Sequence, residues 1–236
     1  MQPSNLITRI YRALAQNYGP LHWWPARTRF EVIVGAFLTQ NTNWKNVELA
    51  LNNLRRAGML NISGIREIAL GDLEQLVRPS GYYRQKAARL KMFVDYLDRR
   101  YRGSLAKMFN QPIETLRAEL LSQKGIGHET ADAIMLYAGK LPVFVVDAYA
   151  KRIFTRHGIT AVGARYDEVK PLVETIFASS FRESELADHY NEFHALIVQV
   201  GKDHCGRVAD CERCPLQSFL PVAASQLQSK QTSTRS

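Results

Sequence analysis

The sequence contains no long run of apolar residues. Its longest apolar stretches, such as Val143 to Val146, are far shorter than the roughly 20 residues that a membrane-spanning helix needs. The first residues, Met1 to Asn5, lack the charged region followed by an apolar stretch that marks a secretory signal. We therefore expect no transmembrane segment and no secretion, but a cytoplasmic protein, associated with the nucleoid if the source is bacterial.

Cysteine is scarce in this chain of 236 residues. The three cysteines, Cys205, Cys211 and Cys214, all lie within one short segment. An odd, local cluster in a chain without a secretory signal favours metal chemistry, or a remnant of it, over a disulfide framework. These three residues are therefore candidate metal ligands.

The sequence also lacks the sustained alternation of apolar and polar residues that an antiparallel sheet needs. Apolar residues recur instead at helical spacing, and glycine and proline separate the periodic segments. The pattern predicts an all-α fold, with a disordered tail over residues 221–236, which are rich in Ser, Gln and Thr. We predict helices over residues 6–14, 30–38, 49–60, 65–77, 85–101 and 113–123, and others beginning near residues 129, 148 and 166.

The balance of charge is strongly basic. The chain has 31 Lys and Arg against 22 Asp and Glu, a formal net charge of +9. Such a surface favours a polyanionic partner, because neutralising phosphates releases condensed counterions. Charge alone does not identify that partner, since many basic proteins bind no particular anion.

A glycine-rich turn joins two predicted helices at Gly125-Ile126-Gly127, between Lys124 and His128. Glycine permits a positive φ, and its missing side chain lets a phosphate approach the backbone. Amides of the turn and of the following helix would then point at the anion. The alternative is an ordinary connection between helices, because two glycines alone are a weak signal.

A single carboxylate, Asp147, follows the apolar run at the start of a basic predicted helix. Burial of the run would hold this carboxylate in a defined position. Asp is also a favoured N-cap, which accepts hydrogen bonds from the free amides of the first turn. The catalytic and the capping interpretation are compatible.

Together, the glycine turn and Asp147, about twenty residues apart, resemble the signature of the endonuclease III family of helix-hairpin-helix DNA glycosylases. The resemblance extends to residues 38–42, to residues 81–87 and to the cysteines, and covers roughly residues 20 to 215. It implies that Asp147 is the catalytic aspartate and that Gly125 to Gly127 form a hairpin that binds DNA phosphate, with Lys124 and His128 beside it. It also implies that Gln40 is a candidate to fill the gap left by an extruded base.

One position departs from the bifunctional members of that family. In those members the residue two after the second glycine is a lysine that attacks the sugar and forms a Schiff base, whereas this chain has Glu129. A carboxylate cannot form an imine. We therefore expect a monofunctional glycosylase that leaves an abasic site for a separate AP endonuclease.

Aromatic residues suggest the substrate. Trp24 and Pro25 precede the second predicted helix and Trp44 follows Gln40, a pattern similar to the 3-methyladenine glycosylase branch of the family. An alkylated purine is cationic, and a cation stacked on indole gains about 0.5 to 2 kcal/mol. We therefore place Trp24, Pro25 and Trp44 in the base pocket. The alternative is that the tryptophans anchor the core, as aromatic residues usually do.

The cysteines depart from the family as well. Family members with a [4Fe-4S] cluster use four cysteines, whereas here no fourth follows, and Leu220 stands near its expected place. Thiolate ligation normally needs four donors. His204 or an outside ligand could complete a cluster, and loss of the cluster with residual cysteines is the other interpretation.

The resemblance implies a two-lobed helical fold with a DNA cleft between the lobes. The expected lobes are residues 23–139, and residues 1–22 together with 140–220. The expected activity is removal of a damaged base, an alkylated purine, from duplex DNA by a monomeric enzyme. The competing interpretations are a glycosylase for oxidised or mismatched bases and a DNA-binding module without catalysis.

Overall fold

The computed structural model describes the backbone of residues 3–21 and 26–221, and the side chains of residues 6–21 and 26–221. The chain divides into two compact units, one formed by Trp24–Leu141 and the other by Met1–Trp23 with Pro142–Ser236. The predicted disordered tail lies outside the described residues, apart from Pro221.

The described residues form helices and connecting turns, and none of them lies in a β-strand. The prediction of an all-α fold is therefore confirmed. None of the helices in the described ranges is long and apolar enough to cross a membrane. The α-helices are α1 (Pro3–Tyr18), α2 (Arg29–Leu38), α3 (Trp44–Arg56), α4 (Ile62–Glu67), α5 (Leu70–Val77), α6 (Tyr83–Tyr101), α7 (Leu105–Phe109), α8 (Ile113–Ser122), α9 (His128–Ala133), α10 (Ala148–Arg156), α11 (Tyr166–Ala178) and α12 (Leu186–Asp203).

In the Trp24–Leu141 unit, α2 is the most buried helix. Every residue from Phe30 to Leu38 is buried, and the helix packs against α3, α6 and the π-helical turn Ile134–Ala138 that continues α9. The rings of Phe37 and Phe93 lie 5.6 Å apart, so α2 and the long helix α6 share one core. This packing fixes the end of α2, from which the segment containing Gln40 begins.

The other unit is organised around α12, which packs against α1 and α10. The ring of Phe193 on α12 lies 5.7 Å from that of Phe144, 5.2 Å from that of Phe177 and 6.2 Å from that of Phe154. Such aromatic pairs contribute about 0.5 to 1.5 kcal/mol each beyond the burial of their area. Because Phe144 belongs to this cluster, the cluster also fixes the segment that leads to Asp147.

Two predicted helices have different bounds in the structure. The helix predicted over residues 49–60 is α3, which begins at Trp44 because the Asn43 side chain caps it by accepting a hydrogen bond from the Asn46 amide. The helix predicted over residues 65–77 is two helices, α4 and α5, because Ile68 and Ala69 are extended. Helices α7 and α12 were not among the predicted helices.

Candidate functional site

The glycine turn forms a tight hairpin between α8 and α9. Gly125 has a φ of +86°, and a Cβ atom at this position would lie 2.2 Å from Nε of Arg89. The positive φ favours glycine here, and the Arg89 side chain packs in the space that a Cβ would occupy. Ile126 is 5% exposed and anchors the turn in the core.

Gly127 has a different role in the hairpin. Its φ is −94° and it occupies the N-cap position of α9, so the backbone does not require glycine here. A Cβ atom at Gly127 would meet no atom within 4 Å among the described residues, and Lys124 and His128 on either side are exposed. The arrangement presents open backbone between two basic residues, which suits the approach of an anion.

A buried ion pair braces the two helices of the hairpin. Arg117 of α8 donates two hydrogen bonds to the Asp132 carboxylate of α9, at 2.8 and 3.1 Å. The Asp132 side chain is fully buried and that of Arg117 is 16% exposed. This pair fixes the angle at which α8 and α9 meet and with it the shape of the hairpin.

Gln40 contacts the hairpin directly. Its Nε2 donates to the Gly125 carbonyl at 3.1 Å and to Thr130 Oγ1 at 3.0 Å. Its Oε1 accepts a hydrogen bond of 2.7 Å from Nη1 of Arg89. The resemblance implies that Gln40 fills a gap in DNA. In this structure without DNA, both its Nε2 and its Oε1 are hydrogen-bonded to the protein.

Lys86 is a buried lysine, 1% exposed, that sequence reasoning did not single out. Its ammonium donates to the Leu38 carbonyl at 2.9 Å and to the Ser80 carbonyl at 2.6 Å. Burial, with the nearby charge of Arg89, lowers its pKa to about 8. Lys86 therefore joins the end of α2 to the turn that precedes Tyr82.

Tyr82 is the second residue that sequence reasoning did not single out. It has a left-handed backbone conformation, with a φ of +46°, at the start of α6. Its side chain is 64% exposed, and the neighbouring Arg84 is also exposed. An exposed aromatic ring beside a cation can stack on a nucleic acid base.

The remaining predicted residues of this unit are placed as follows. Glu129 is exposed in the first turn of α9, next to the hairpin. Trp44 is half-buried and is the first residue of α3. Trp24 and Pro25 lie outside the described residues, so their place in a base pocket stays a prediction.

Asp147 lies in the other unit, at the end of a fixed segment. The side chains of Val143 to Val146 are buried. The amide of Phe144 donates to Glu174 Oε1 at 2.8 Å, and the amide of Val146 donates to the Tyr166 hydroxyl at 3.3 Å. The segment before Asp147 is thus fixed both by the burial of its side chains and by the hydrogen bonds of its amides.

The Asp147 carboxylate has two distinct oxygens. Oδ1 accepts a hydrogen bond of 2.7 Å from the Ala150 amide, which makes Asp147 the N-cap of α10. Oδ2 lies 3.8 Å from Nε2 of His194 on α12. Oδ1 therefore fixes the orientation of the side chain. The side chain as a whole remains 13% exposed to solvent.

His194 is buried beside Asp147, and because α12 was not predicted, sequence reasoning missed it. Burial lowers its pKa, and the charge of Asp147 partly opposes this effect. The folded protein therefore keeps the imidazole neutral at a pH where an exposed histidine takes up a proton. Burial of His194 thus favours a neutral imidazole beside Asp147.

The burial of His194 predicts loss of stability in acid. An unfolded histidine takes up its proton near its ordinary pKa of 6.5, whereas folded His194 resists protonation. Between these two pKa values the unfolded state binds more protons, so stability falls as the pH falls. We expect His194→Gln to reduce the difference in unfolding free energy between pH 7.5 and pH 5.5, measured by urea denaturation. Part of the difference should remain, because burial also lowers the pKa of His157.

An unchanged pH dependence in His194→Gln would show that His194 is protonated equally in the folded and unfolded states.

The three cysteines are free thiols that line one small cavity with His204 and Leu220. Sγ of Cys205 accepts a hydrogen bond of 3.0 Å from Nη1 of Arg156. The described part of the chain has no three His, Cys, Asp or Glu side chains arranged to hold a metal ion. As arranged, the set does not fit a cluster with four thiolate ligands. The metal assignment stays a prediction from sequence, which iron analysis and visible absorbance of the purified protein would test.

Comparisons with known proteins identify the family of the chain. A family model described as HhH-GPD superfamily base excision DNA repair protein matches residues 34–178. A candidate DNA repair glycosylase of Methanocaldococcus jannaschii is 44% identical over 216 residues, which are 91% of this chain and 95% of that protein. Endonuclease III of Sulfolobus acidocaldarius is 23% identical over 194 residues, 82% of each chain.

Solved structures show the same fold. The 3-methyladenine DNA glycosylase of H. pylori, bound to 1,N6-ethenoadenine, superposes with a TM-score of 0.72 at 31% identity, over 86% of this chain and 98% of that one. A non-covalent complex of endonuclease III with DNA superposes with a TM-score of 0.76 at 21% identity, over 97% of this chain and all of that one. At 21% identity, the similarity to endonuclease III shows a shared fold and nothing further.

Proposed function

The chain belongs to the HhH-GPD superfamily of base excision DNA repair proteins and is a DNA glycosylase of that family; we propose that it is monofunctional and releases alkylated purines, such as 3-methyladenine, from duplex DNA. The catalytic group is Asp147. The product is a DNA strand with an abasic site, which a separate AP endonuclease must process. We further propose that the enzyme acts as a cytoplasmic monomer.

The observation that carries the proposal is the placement of Asp147. Its carboxylate is fixed by the cap to Ala150, and it is partly buried beside a histidine that burial keeps neutral. As the bond between base and sugar breaks, positive charge develops on the sugar. A preorganised carboxylate in a place of low dielectric stabilises that charge and costs no reorganisation during the reaction. The same carboxylate can orient the water that attacks C1′.

Alkylation of the base explains why one carboxylate is enough. A purine alkylated at a ring nitrogen carries a positive charge, so it departs as a neutral molecule and needs no general acid. Its release leaves the enzyme with one task, the stabilisation of the sugar cation. Such a base is also weakly paired, so extruding it from the duplex costs less than extruding a normal base.

The substrate class is supported by two further points. The H. pylori glycosylase, 31% identical, carries a modified adenine in its structure. In this chain Trp44 offers a half-buried indole, and the sequence adds Trp24 outside the described residues. Indole faces favour a cationic base over a neutral one.

Glu129 supports the monofunctional part of the proposal. It is exposed in the first turn of α9, beside the hairpin, where bifunctional members of the family have a lysine. Without an amine at this position the sugar cannot form a Schiff base there. The reaction then ends with the attack of water, and the strand stays intact.

A second candidate is a glycosylase for oxidised or mismatched bases. It is favoured by the relatives named endonuclease III, of which the Sulfolobus acidocaldarius protein matches 82% of this chain. The two candidates differ in the charge of the lesion. An oxidised base is neutral and gains less from an indole face than an alkylated purine does.

The test is chromatography of the bases that the purified protein releases from duplex DNA. One substrate is treated with a methylating agent, and a second carries oxidised pyrimidines or 8-oxoguanine. We expect release of methylated purines and no comparable release from the oxidised substrate. Preferential release of oxidised bases would support the second candidate, and binding without release would indicate a DNA-binding module.

Introducing a lysine at position 129, where bifunctional members of the family have one, should change the reaction. We expect Glu129→Lys to bind duplex DNA more tightly than the wild type, because a negative charge beside the backbone phosphates becomes positive. The variant should also form a covalent adduct with abasic DNA that borohydride traps. The measurement is a shifted band on a denaturing gel.

Glu129→Gln is the matched control for this variant. It removes the negative charge but offers no amine, so it should tighten binding without giving an adduct. A trapped adduct in the wild type would show that another amine, such as Lys124, performs a lyase step. Absence of both effects in Glu129→Lys would place Glu129 away from the bound DNA.

A further inference from the structure

We propose that Lys86 is a positioning residue for damaged DNA: from within the protein it fixes two backbone segments, residues 38–41 and 80–82, which carry Gln40 and Tyr82. The inference rests on the proposed function, because it concerns the binding of a damaged duplex. The Lys86 ammonium contacts backbone carbonyls. The side chains of Gln40 and Tyr82 can therefore still reorient when DNA binds.

The Lys86 ammonium joins two segments that are distant in the chain. It donates to the carbonyl of Leu38, the last residue of α2, at 2.9 Å and to the Ser80 carbonyl at 2.6 Å. All three residues are buried, so solvent cannot easily replace this donor. A buried acceptor that loses its donor is costly, and each hydrogen bond therefore holds its segment in place.

The charge of Lys86 has no compensating partner nearby. Burial and the charge of Arg89 lower the pKa of Lys86 to about 8, and no acidic group in the described part of the chain offsets these effects. Burying a cation without an ion pair costs free energy, a cost that a methionine of similar length would avoid. The two hydrogen bonds are what a lysine provides here and a methionine does not.

Each of the two segments contains a residue other than glycine with a left-handed backbone. The φ of Asn41 is +52° and that of Tyr82 is +46°. A bulky residue rarely adopts this conformation and keeps it only where its surroundings hold it. Lys86 binds on both sides of this position, because its ammonium contacts the Ser80 carbonyl and its amide donates to the Tyr82 carbonyl at 3.1 Å. It thereby sets the direction in which the exposed Tyr82 ring projects.

Lys91 provides a matched control. It lies on α6, as Lys86 does, and its ammonium also donates to two backbone carbonyls, those of Arg66 and Ile68. These carbonyls belong to the junction of α4 and α5, not to the segments that carry Gln40 and Tyr82. Lys86→Met and Lys91→Met therefore remove the same kind of contact from two different places.

The first experiment uses a duplex that carries a stable abasic analogue with 2-aminopurine opposite it. The fluorescence of 2-aminopurine reports its stacking, and at saturating protein the fluorescence change no longer depends on affinity. We expect Lys86→Met to bind about tenfold more weakly than the wild type, the effect of lost hydrogen bonds, and to give a smaller change at saturation. Lys91→Met should match the wild type in both. A wild-type change in Lys86→Met, or an equal loss in the two variants, would overturn the proposal.

The second experiment uses the wild type, so it does not depend on the folding of a variant. Lysines are acetylated with limiting acetic anhydride, with and without the abasic duplex, and each site is quantified by mass spectrometry. Lys86 should react at least about ten times more slowly than the exposed Lys107 in both states, since reaction requires local opening. Rapid acetylation of Lys86 in the complex would show that its hydrogen bonds open when DNA binds, and would overturn the proposal.

Failure of the inference and failure of the proposed function give different results. If the proposed function is wrong, the wild type releases no methylated purines. The fluorescence change still tests Lys86 in that case, because it needs binding of the abasic duplex and no catalysis. If the inference alone is wrong, the wild type releases methylated purines, and Lys86→Met gives the wild-type fluorescence change.

Discussion

Asp147→Asn is expected to lower the rate of base release from methylated DNA by at least about a hundredfold. The substitution keeps the size of the side chain and removes its negative charge. Stabilisation of the sugar cation depends on that charge, so the effect should fall on the chemical step. Single-turnover kinetics with methylated duplex measure this step separately from binding.

The structure makes Asn the appropriate replacement. Oδ1 of Asp147 caps α10 by accepting from the Ala150 amide, and an Asn side chain can accept the same hydrogen bond. Asp147→Ala would remove the cap as well and cost about 1 kcal/mol of stability. Asp147→Asn should therefore unfold at nearly the wild-type temperature. Equal rates of base release by the Asp147→Asn variant and the wild type would refute the catalytic role of Asp147.

The local motifs of the site could be predicted from the sequence. The positive φ of Gly125, the burial of Ile126 and the capping by Asp147 follow from the conformational freedom of glycine, from hydrophobicity and from the cap preference of aspartate. Each of these properties depends on residues within a few positions in the chain. Local patterns therefore indicated a turn at the glycines and a cap at Asp147, whereas the roles of both in DNA binding and catalysis came from the family resemblance and stay predictions.

The partners of those motifs could not be predicted, because they are distant in the chain. His194 reaches Asp147 from α12, and Gln40 reaches the hairpin from the end of α2. No local pattern distinguishes His194 or Arg89 from a histidine or arginine without such a role. The resemblance suggested that Gln40 serves the DNA, but it could not show that its amide is already occupied within the protein.

The break between α4 and α5 has a similar cause. Apolar residues continue at helical spacing through Ile68, so the pattern predicted one helix. In the structure, the Lys91 ammonium from α6 donates to the carbonyls of Arg66, at 2.9 Å, and of Ile68. These hydrogen bonds satisfy carbonyls at the end of α4, where a helix leaves its last acceptors without helical partners. The donor lies more than twenty residues away in the chain, so local periodicity could not reveal it.

Asp132→Ala is expected to cause the largest loss of stability among the substitutions considered. It removes a fully buried carboxylate that Arg117 contacts at two positions. Removing one partner of a buried ion pair typically costs about 3 to 5 kcal/mol. The measurement is the free energy of unfolding from urea denaturation, followed by circular dichroism.

Asp95→Ala is the matched control, because Asp95 pairs with Arg99 on the surface of the same unit, and its side chain is 62% exposed. Solvent screens such a pair, so its loss should change the unfolding free energy by no more than about 0.5 kcal/mol. A similarly small loss in Asp132→Ala would mean that water or another hydrogen-bond acceptor compensates the charge of Arg117. A large loss would show that the brace between α8 and α9 maintains the hairpin, so duplex binding by folded Asp132→Ala protein should be weaker than by Asp95→Ala protein.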